Sequence, residues 1–207
     1  MSSRPKSEFQ FDLTGGQPAL DLANTISRRH DPARRKEHLE DYRDIISFAR
    51  QSKLISPREA NELRHYALQH PAEARRSFSR LLHLREAIYR VFSAIAQHRP
   101  VAPEDLQILN DAAVEALRHR TLTPRNGGFH WEWASGAHRL DRLMWPPAQM
   151  AAELLTSREL SLVRFCEAPD CEWLFLDHSR NRSRRWCDMS SCGNRAKARR
   201  HYQRARH

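Results

Sequence analysis

Four cysteines, all in the last quarter of a 207-residue chain, constrain this sequence more than any other feature. They stand as Cys166-x4-Cys171 and Cys187-x4-Cys192, two closely spaced pairs in a hydrophilic segment. The N-terminus, Met1-Ser2-Ser3-Arg4-Pro5-Lys6-Ser7-Glu8, has no apolar signal core, which predicts a cytoplasmic protein whose thiols stay reduced. Paired thiols at short spacing then point to a metal rather than to disulfides, and reduced core cysteines would not cluster in so hydrophilic a stretch. Four thiolates suit one closed, tetrahedral, structural Zn2+ per chain, with no open position for a substrate water. Roughly thirty residues bury too little apolar surface to fold alone, so the metal is expected to supply the missing stability.

The same segment reads as a succession of short elements. Pro169-Asp170 suits a tight knuckle inside the first pair, and Trp173-Leu174-Phe175-Leu176 reads as a strand with Arg185-Trp186 as its returning partner. Asp188 or Ser190 can cap a helix that holds Cys192 in its first turn. Knuckle, hairpin and helix in that order make a treble-clef-like finger. His178 and His201 are ligands by residue type, but beside four thiolates they are read as contacts to solvent or phosphate.

The charge sits in the same place. From His178 to His207 there are ten Lys or Arg against one acid, Asp188, so +9 of the formal net charge of +10 lies in the last thirty residues. A solvated face would spread its charge, whereas a concentrated block fits a polyanion such as nucleic acid; an acidic membrane surface or a disordered tail are the alternatives. No apolar run reaches the ~18–20 residues of a membrane span, so no transmembrane segment is expected.

Upstream, only 6 Gly argue against phosphate-cradling glycine loops and a turn-rich all-β fold, so helix should dominate, giving a mostly α protein with a small β-hairpin (α+β). Residues 1–10 are expected to be disordered, 11–158 to form a helical regulatory domain, and 159–207 to form the finger and basic tail. Helices are predicted over about 39–51, from Ser56-Pro57-Arg58-Glu59 with its capping box, over 71–98 as the central core helix, from Pro103 and from Pro146-Pro147. Between them Asn126-Gly127 and the alternation of Phe129, Trp131 and Trp133 predict a hairpin over about 120–134. With separate cores expected for the two domains, chelation should unfold the tail and leave the helical domain largely intact.

One short helix is singled out. After the turn at Gly15-Gly16, Pro18 suits the first helical position, and Ala19, Leu22, Ala23 and Ile26 form one apolar stripe. Facing that stripe to the core should turn Asp21, Asn24 and Thr25 to the opposite side. With Arg85 as counter-charge to Asp21, they form a candidate small-ligand site of a sensor that tunes the tail. The structural alternative has Asp21 favouring the helix dipole and the others capping a neighbour, in a domain that is a platform or a dimer interface.

The run Cys187-Asp188-Met189-Ser190-Ser191-Cys192-Gly193-Asn194-Arg195-Ala196-Lys197, preceded by Trp173-Leu174-Phe175-Leu176-Asp177 and Arg180-Asn181-Arg182-Ser183-Arg184-Arg185-Trp186, resembles the CGNR zinc finger, named for Cys192 to Arg195. Gly16-Gln17-Pro18-Ala19-Leu20-Asp21-Leu22-Ala23-Asn24-Thr25 is similar to the ABATE domain that accompanies this finger in bacterial stress-induced transcription regulators. Together the resemblances cover most of the chain and imply a zinc-binding, DNA-binding regulator.

Beyond the capping turn, Arg195 and Arg199 share a helical face with Tyr202, and Lys197, Arg200 and Arg204 lie on an adjacent one. Such a helix can enter the major groove of double-stranded DNA, where arginine bonds guanine bidentately, while Arg180, Arg182, Arg184 and Arg185 would hold phosphates. Asn194 is either a base contact or a local hydrogen bond within the finger. One finger has a small footprint, so a homodimer is expected. RNA is the rival partner, although Tyr202 is the only aromatic in the last twenty residues. A small-molecule enzyme with a nucleic-acid-binding tail is the other alternative, and a non-enzyme is expected: no G-x-S-x-G, H-E-x-x-H or Gly-Lys phosphate loop occurs, and the E-x-x-H of Glu62 and His65 has no second copy.

Overall fold

The computed structural model describes residues 9–134 and 140–204. Local signals set most of its helices. Asp41 and Asp44 close a capping box at the start of α2 (Tyr42–Gln51), and Ser56 and Glu59 do so for α3 (Pro57–Gln69). Pro71, Pro103 and the Pro146-Pro147 pair open α4 (Pro71–Ala96), α5 (Pro103–Arg118) and α6 (Trp145–Thr156), where a missing N–H costs nothing. Asn126 and Gly127 both take positive φ, which lets β3 (Arg120–Arg125) turn straight back into β4 (Gly128–Trp133). The hairpin is anchored by Trp133 against Trp145, with ring centroids 5.9 Å apart.

The core forms around α1 (Pro18–Ala23), which lies against both α4 and α6. Its sequence pattern predicts one buried stripe, yet Ala19, Leu20, Asp21, Leu22 and Ala23 are all buried. The reason is a covering element 150 residues away: β6 (Leu174–Leu176) lies over the face that an isolated amphipathic helix would give to water. Gly16 sits under that strand. Its φ of +88° is left-handed, which favours glycine, and a β-carbon there would press on Leu176 Cβ at 3.1 Å. The loop after α1 also forms a two-residue ladder, β1 (Ile26–Ser27) with β2 (Lys36–Glu37), where the sequence reads only as loop.

Of the N-terminal stretch expected to be disordered, residues 1–8 lie outside the described residues. Phe9 itself is ordered against the body: its ring stacks on His38 at 4.6 Å, and Gln51 Nε2 donates to its carbonyl.

One strand of the finger joins the cores of the two parts of the chain. β5 (Val163–Phe165) pairs antiparallel with β6, Val163 opposite Leu176. Leu174 and Leu176 on one side of β6 belong to the main helical core, while Phe175 on the other belongs to the small cluster of the four cysteines. One strand thus serves two cores, because its alternating side chains point to opposite faces. That shared strand ties the finger to the helical body.

Candidate metal centre and nucleic-acid interface

Cys166 follows β5, Cys171 closes the knuckle, and Cys187 follows the loop that leaves β6. Cys192 lies in a π-helical turn, Met189–Gly193, rather than in the first turn of a helix. That turn is capped by Asp188, whose carboxylate accepts from Ser191 N at 2.7 Å, and α7 (Asn194–Arg204) follows. Arg185-Trp186 is not the strand partner of β6; β5 is paired with it, and the Arg185 carbonyl accepts from Glu167 N at 2.9 Å.

All four thiols are buried and their Sγ atoms lie within 4.8 Å of one another. Cys171 and Cys187 Sγ are 3.5 Å apart, Cys187 and Cys192 3.7 Å. A disulfide needs about 2.05 Å, whereas a tetrahedron with ~2.3 Å metal–sulfur bonds has sulfur–sulfur edges of about 3.8 Å. The donor set therefore fits a tetrathiolate metal site. Two donors already point at the sulfurs: Cys187 N–H at 3.4 Å from Cys166 Sγ, and Arg195 Nη2 at 3.0 Å from Cys192 Sγ. Both soften the negative charge of such a cluster. His178 and His201 are exposed and stand apart from it, His178 near Glu159 and His201 edge-on to Tyr202.

The basic residues divide into tied and untied groups. Arg195 and Arg199, the expected base readers, both lean on Asp170 of the knuckle, at 3.4 and 3.5 Å, with side chains 45% and 41% exposed. Arg184 is used internally: it donates to Cys187 O, lies 4.7 Å over the Phe175 ring, and its backbone N–H bonds Asp177. Arg185 pairs with Glu167 at 2.5 Å. Asn194 makes a local bond, Nδ2 to Ser190 O at 3.0 Å, consistent with its reading as a structural residue. Arg180, Arg182, Lys197 and Arg204 are exposed, and their side chains carry no hydrogen bond or ion pair among the described residues. The side chain of Arg200 lies outside the described residues.

Two organising acids escaped the sequence reading. Asp170 gathers Arg195 and Arg199 and approaches Arg28 at 3.9 Å, which ties the knuckle to both domains. Asp177 is fully buried directly after β6 and takes Ser179 N, Ser179 Oγ and Arg184 N. Burial opposes its charge, but those hydrogen bonds hold its carboxyl below the usual range. Nothing local marks either residue, since each is defined by partners contributed across the knuckle or the loop.

The residues expected to form a ligand face are turned inward. Asn24 Oδ1 accepts from Leu174 N at 2.9 Å, and Asn24 Nδ2 donates to Leu174 O at 2.8 Å. The side-chain amide thus pairs with β6 as another strand would. Thr25 Oγ1 donates to Leu22 O and accepts from Arg85 Nη1 at 3.1 Å. Arg85 does not meet Asp21: it is 2% exposed and forks onto Glu37 at 2.6 and 2.7 Å, with Glu86 beside it at 2.8 Å. Asp21 instead accepts from Gly15 N at 2.7 Å, and Gly15 O accepts from Leu176 N at 2.9 Å. The glycine turn and α1 are a joint to the finger. Glu62 and His65 lie on the solvated side of α3, paired with Arg58 and Gln69.

Burial pushes the Asp21 carboxyl up to about 6 from an ordinary 3.8, against the pull of the Gly15 amide. The folded chain then holds a proton that the unfolded chain loses near 3.8. This contribution to stability is complete below pH about 4 and is lost as pH rises through about 6, worth up to about 3 kcal/mol. Asp21→Asn keeps an oxygen for Gly15 N–H. It should therefore melt roughly 5–10 °C above the wild type at pH 8 and no higher at pH 4, as followed by circular dichroism. An asparagine variant less stable at both pH values would refute the argument.

A helical body braced on a four-cysteine finger, with a basic helix leaving the last cysteine, is the architecture of a zinc-finger protein. Comparison with family models agrees: residues 16–158 match ABATE, described as "Putative stress-induced transcription regulator", and residues 163–205 match the CGNR zinc finger. The chain belongs to the ABATE family and carries a CGNR finger. No curated protein matches it. None of the described helices is long and apolar enough to cross a membrane.

Proposed function

We propose that this chain is a zinc-dependent regulator of transcription that binds duplex DNA, with one structural Zn2+ held by Cys166, Cys171, Cys187 and Cys192. The observation that carries this reading is the placement of α7, which leaves the turn holding Cys192 and presents Lys197 and Arg204 to solvent. Metal binding fixes the root of the helix, and its untied cations, with Arg180 and Arg182 of the finger loop, meet the phosphates. The Asp170 pairs of Arg195 and Arg199 are long and half-exposed, so a phosphate or a guanine edge can compete for them. Asp170 is then the group that holds both guanidinium groups ready on one face. A homodimer would double the small footprint of one finger.

The test is a salt titration of binding to duplex DNA, with single-stranded RNA of equal length alongside. If about 5–7 phosphates are neutralised, the log–log slope should be about −4.5 to −6. Lys197→Ala and Arg204→Ala should each weaken all sequences alike and flatten the slope by about 0.9. Arg195→Ala should also relax any sequence preference. Salt-insensitive binding, or RNA bound more tightly than every duplex, would overturn the DNA reading; Tyr202, 71% exposed on α7, is the one stacking platform that RNA would use there.

A further inference from the structure

At the joint between α1 and the finger lies a cavity of about 100 Å³, with Asp12, Asp21, His38, Phe9, Phe11 and Trp173 among its lining residues. No lysine or arginine lines it. Asp21 is 7% exposed, and only Oδ1 is satisfied, by Gly15 N–H. Its second oxygen has no partner among the described residues. His38 Nε2 is engaged with Ser27 Oγ at 2.9 Å, while Nδ1 is buried without any partner. Burial lowers the His38 pKa, leaving the ring uncharged at neutral pH. Two acids, an unsatisfied ring nitrogen and three aromatic residues thus line one small space; the nearby cations stand behind its walls, Lys36 over the Phe9 ring at 5.9 Å and Arg85 on Thr25 and Glu37.

We propose that this cavity binds a primary ammonium group, either a small free amine or the amino end of a longer one. Asp21 Oδ2 would be its counter-ion and His38 Nδ1 a hydrogen-bond acceptor, with the ring's proton on Nε2 donating to Ser27 Oγ. Phe9, Phe11 and Trp173 line the space, and an aromatic lining favours organic ammonium over a hydrated inorganic ion. Size sets the rest: at ~30 Å³ per water the space takes about three waters, or an ammonium with one or two carbons. A buried carboxylate without a counter-charge costs stability, which a bound cation restores.

The site is wired to the finger. Asp21 holds Gly15, whose carbonyl takes Leu176 N–H, and the indole of Trp173, two residues after Cys171, donates to Ile26 O at 2.9 Å. A ligand here stiffens the contact between α1 and β6. The site lies at the joint and does not depend on which nucleic acid the tail binds.

The experiment uses the zinc-loaded full chain in amine-free phosphate buffer, titrated with methylammonium chloride against sodium chloride and tetramethylammonium chloride at equal ionic strength. Methylammonium should raise the melting temperature saturably, by about 3–5 °C at tenfold its Kd, and the controls should not. Asp21→Asn with full zinc content should abolish the shift, and His38→Phe should weaken binding. On wild-type protein, independently of any variant, the methyl protons of bound methylammonium should show nuclear Overhauser contacts to the Phe11 and Trp173 rings. No saturable shift beyond the sodium control, an equal shift in Asp21→Asn, or contacts elsewhere would each overturn the proposal.

Discussion

Removing zinc from the full chain should lower the melting temperature of the helical domain as well as dissolve the finger. Leu174 and Leu176 are 0% and 4% exposed within the helical core, and both ride on a strand whose other face is the Cys166–Cys192 cluster. Without metal, four buried thiols are left with only each other and two outside donors, and the Phe175 face of β6 loses its support. Releasing the two leucines costs about 1.5–3 kcal/mol each, and the amide of Asn24 loses both of its partners at about 1 kcal/mol or more per bond. A combined loss of about 5 kcal/mol or more moves the midpoint of a chain this size down by roughly 10–20 °C. Differential scanning calorimetry before and after chelation should show one cooperative transition moving as a whole. Cys171→Ser should reproduce the shift along with the loss of bound zinc. A helical transition that chelation leaves in place would show that the shared strand carries no stability.

Replacing Asn24 by alanine should be nearly as damaging. Asn24 is 3% exposed, and its amide supplies both hydrogen bonds that the backbone of Leu174 would otherwise find in a neighbouring strand. The variant strands a buried N–H and a buried C=O, a penalty of about 1–3 kcal/mol for each, so about 2–6 kcal/mol in all. Asn24→Asp restores the acceptor but sets a carboxylate oxygen against Leu174 O, and should be no better. Denaturant melts of zinc-loaded protein measure this directly, and zinc should dissociate more readily from Asn24→Ala, since β6 leads from Cys171 towards Cys187. A loss below 1 kcal/mol would mean that water replaces the amide.

Part of this molecule is legible in a short window of chain. The metal site is one such part, because four soft ligands at x4 spacing leave little alternative in a reduced hydrophilic segment. Helix starts are another: Ser56 with Glu59, and Pro71, Pro103 and Pro146, act through neighbours three or four residues away. The hairpin follows from the positive φ that Asn126 and Gly127 accept. The concentration of charge after His178 likewise needs no structure.

What the tertiary structure alone decided is where those local elements lean. The apolar stripe of α1 gave the wrong exposure for Asp21, Asn24 and Thr25 because β6 covers their side, and its alternating residues Leu174, Phe175 and Leu176 could as well have paired with Arg185-Trp186. Arg85 was free to reach Asp21 by composition, but Glu37 lies on a ladder that brings its carboxylate to the guanidinium. Arg195 and Arg199 look like free cations until Asp170 arrives from the knuckle. Ligand type, capping and turn chemistry act through neighbours close in sequence, so the amino-acid order determines them. Burial and ion pairing depend on groups brought together from up to 150 residues away, and only the folded chain sets those distances.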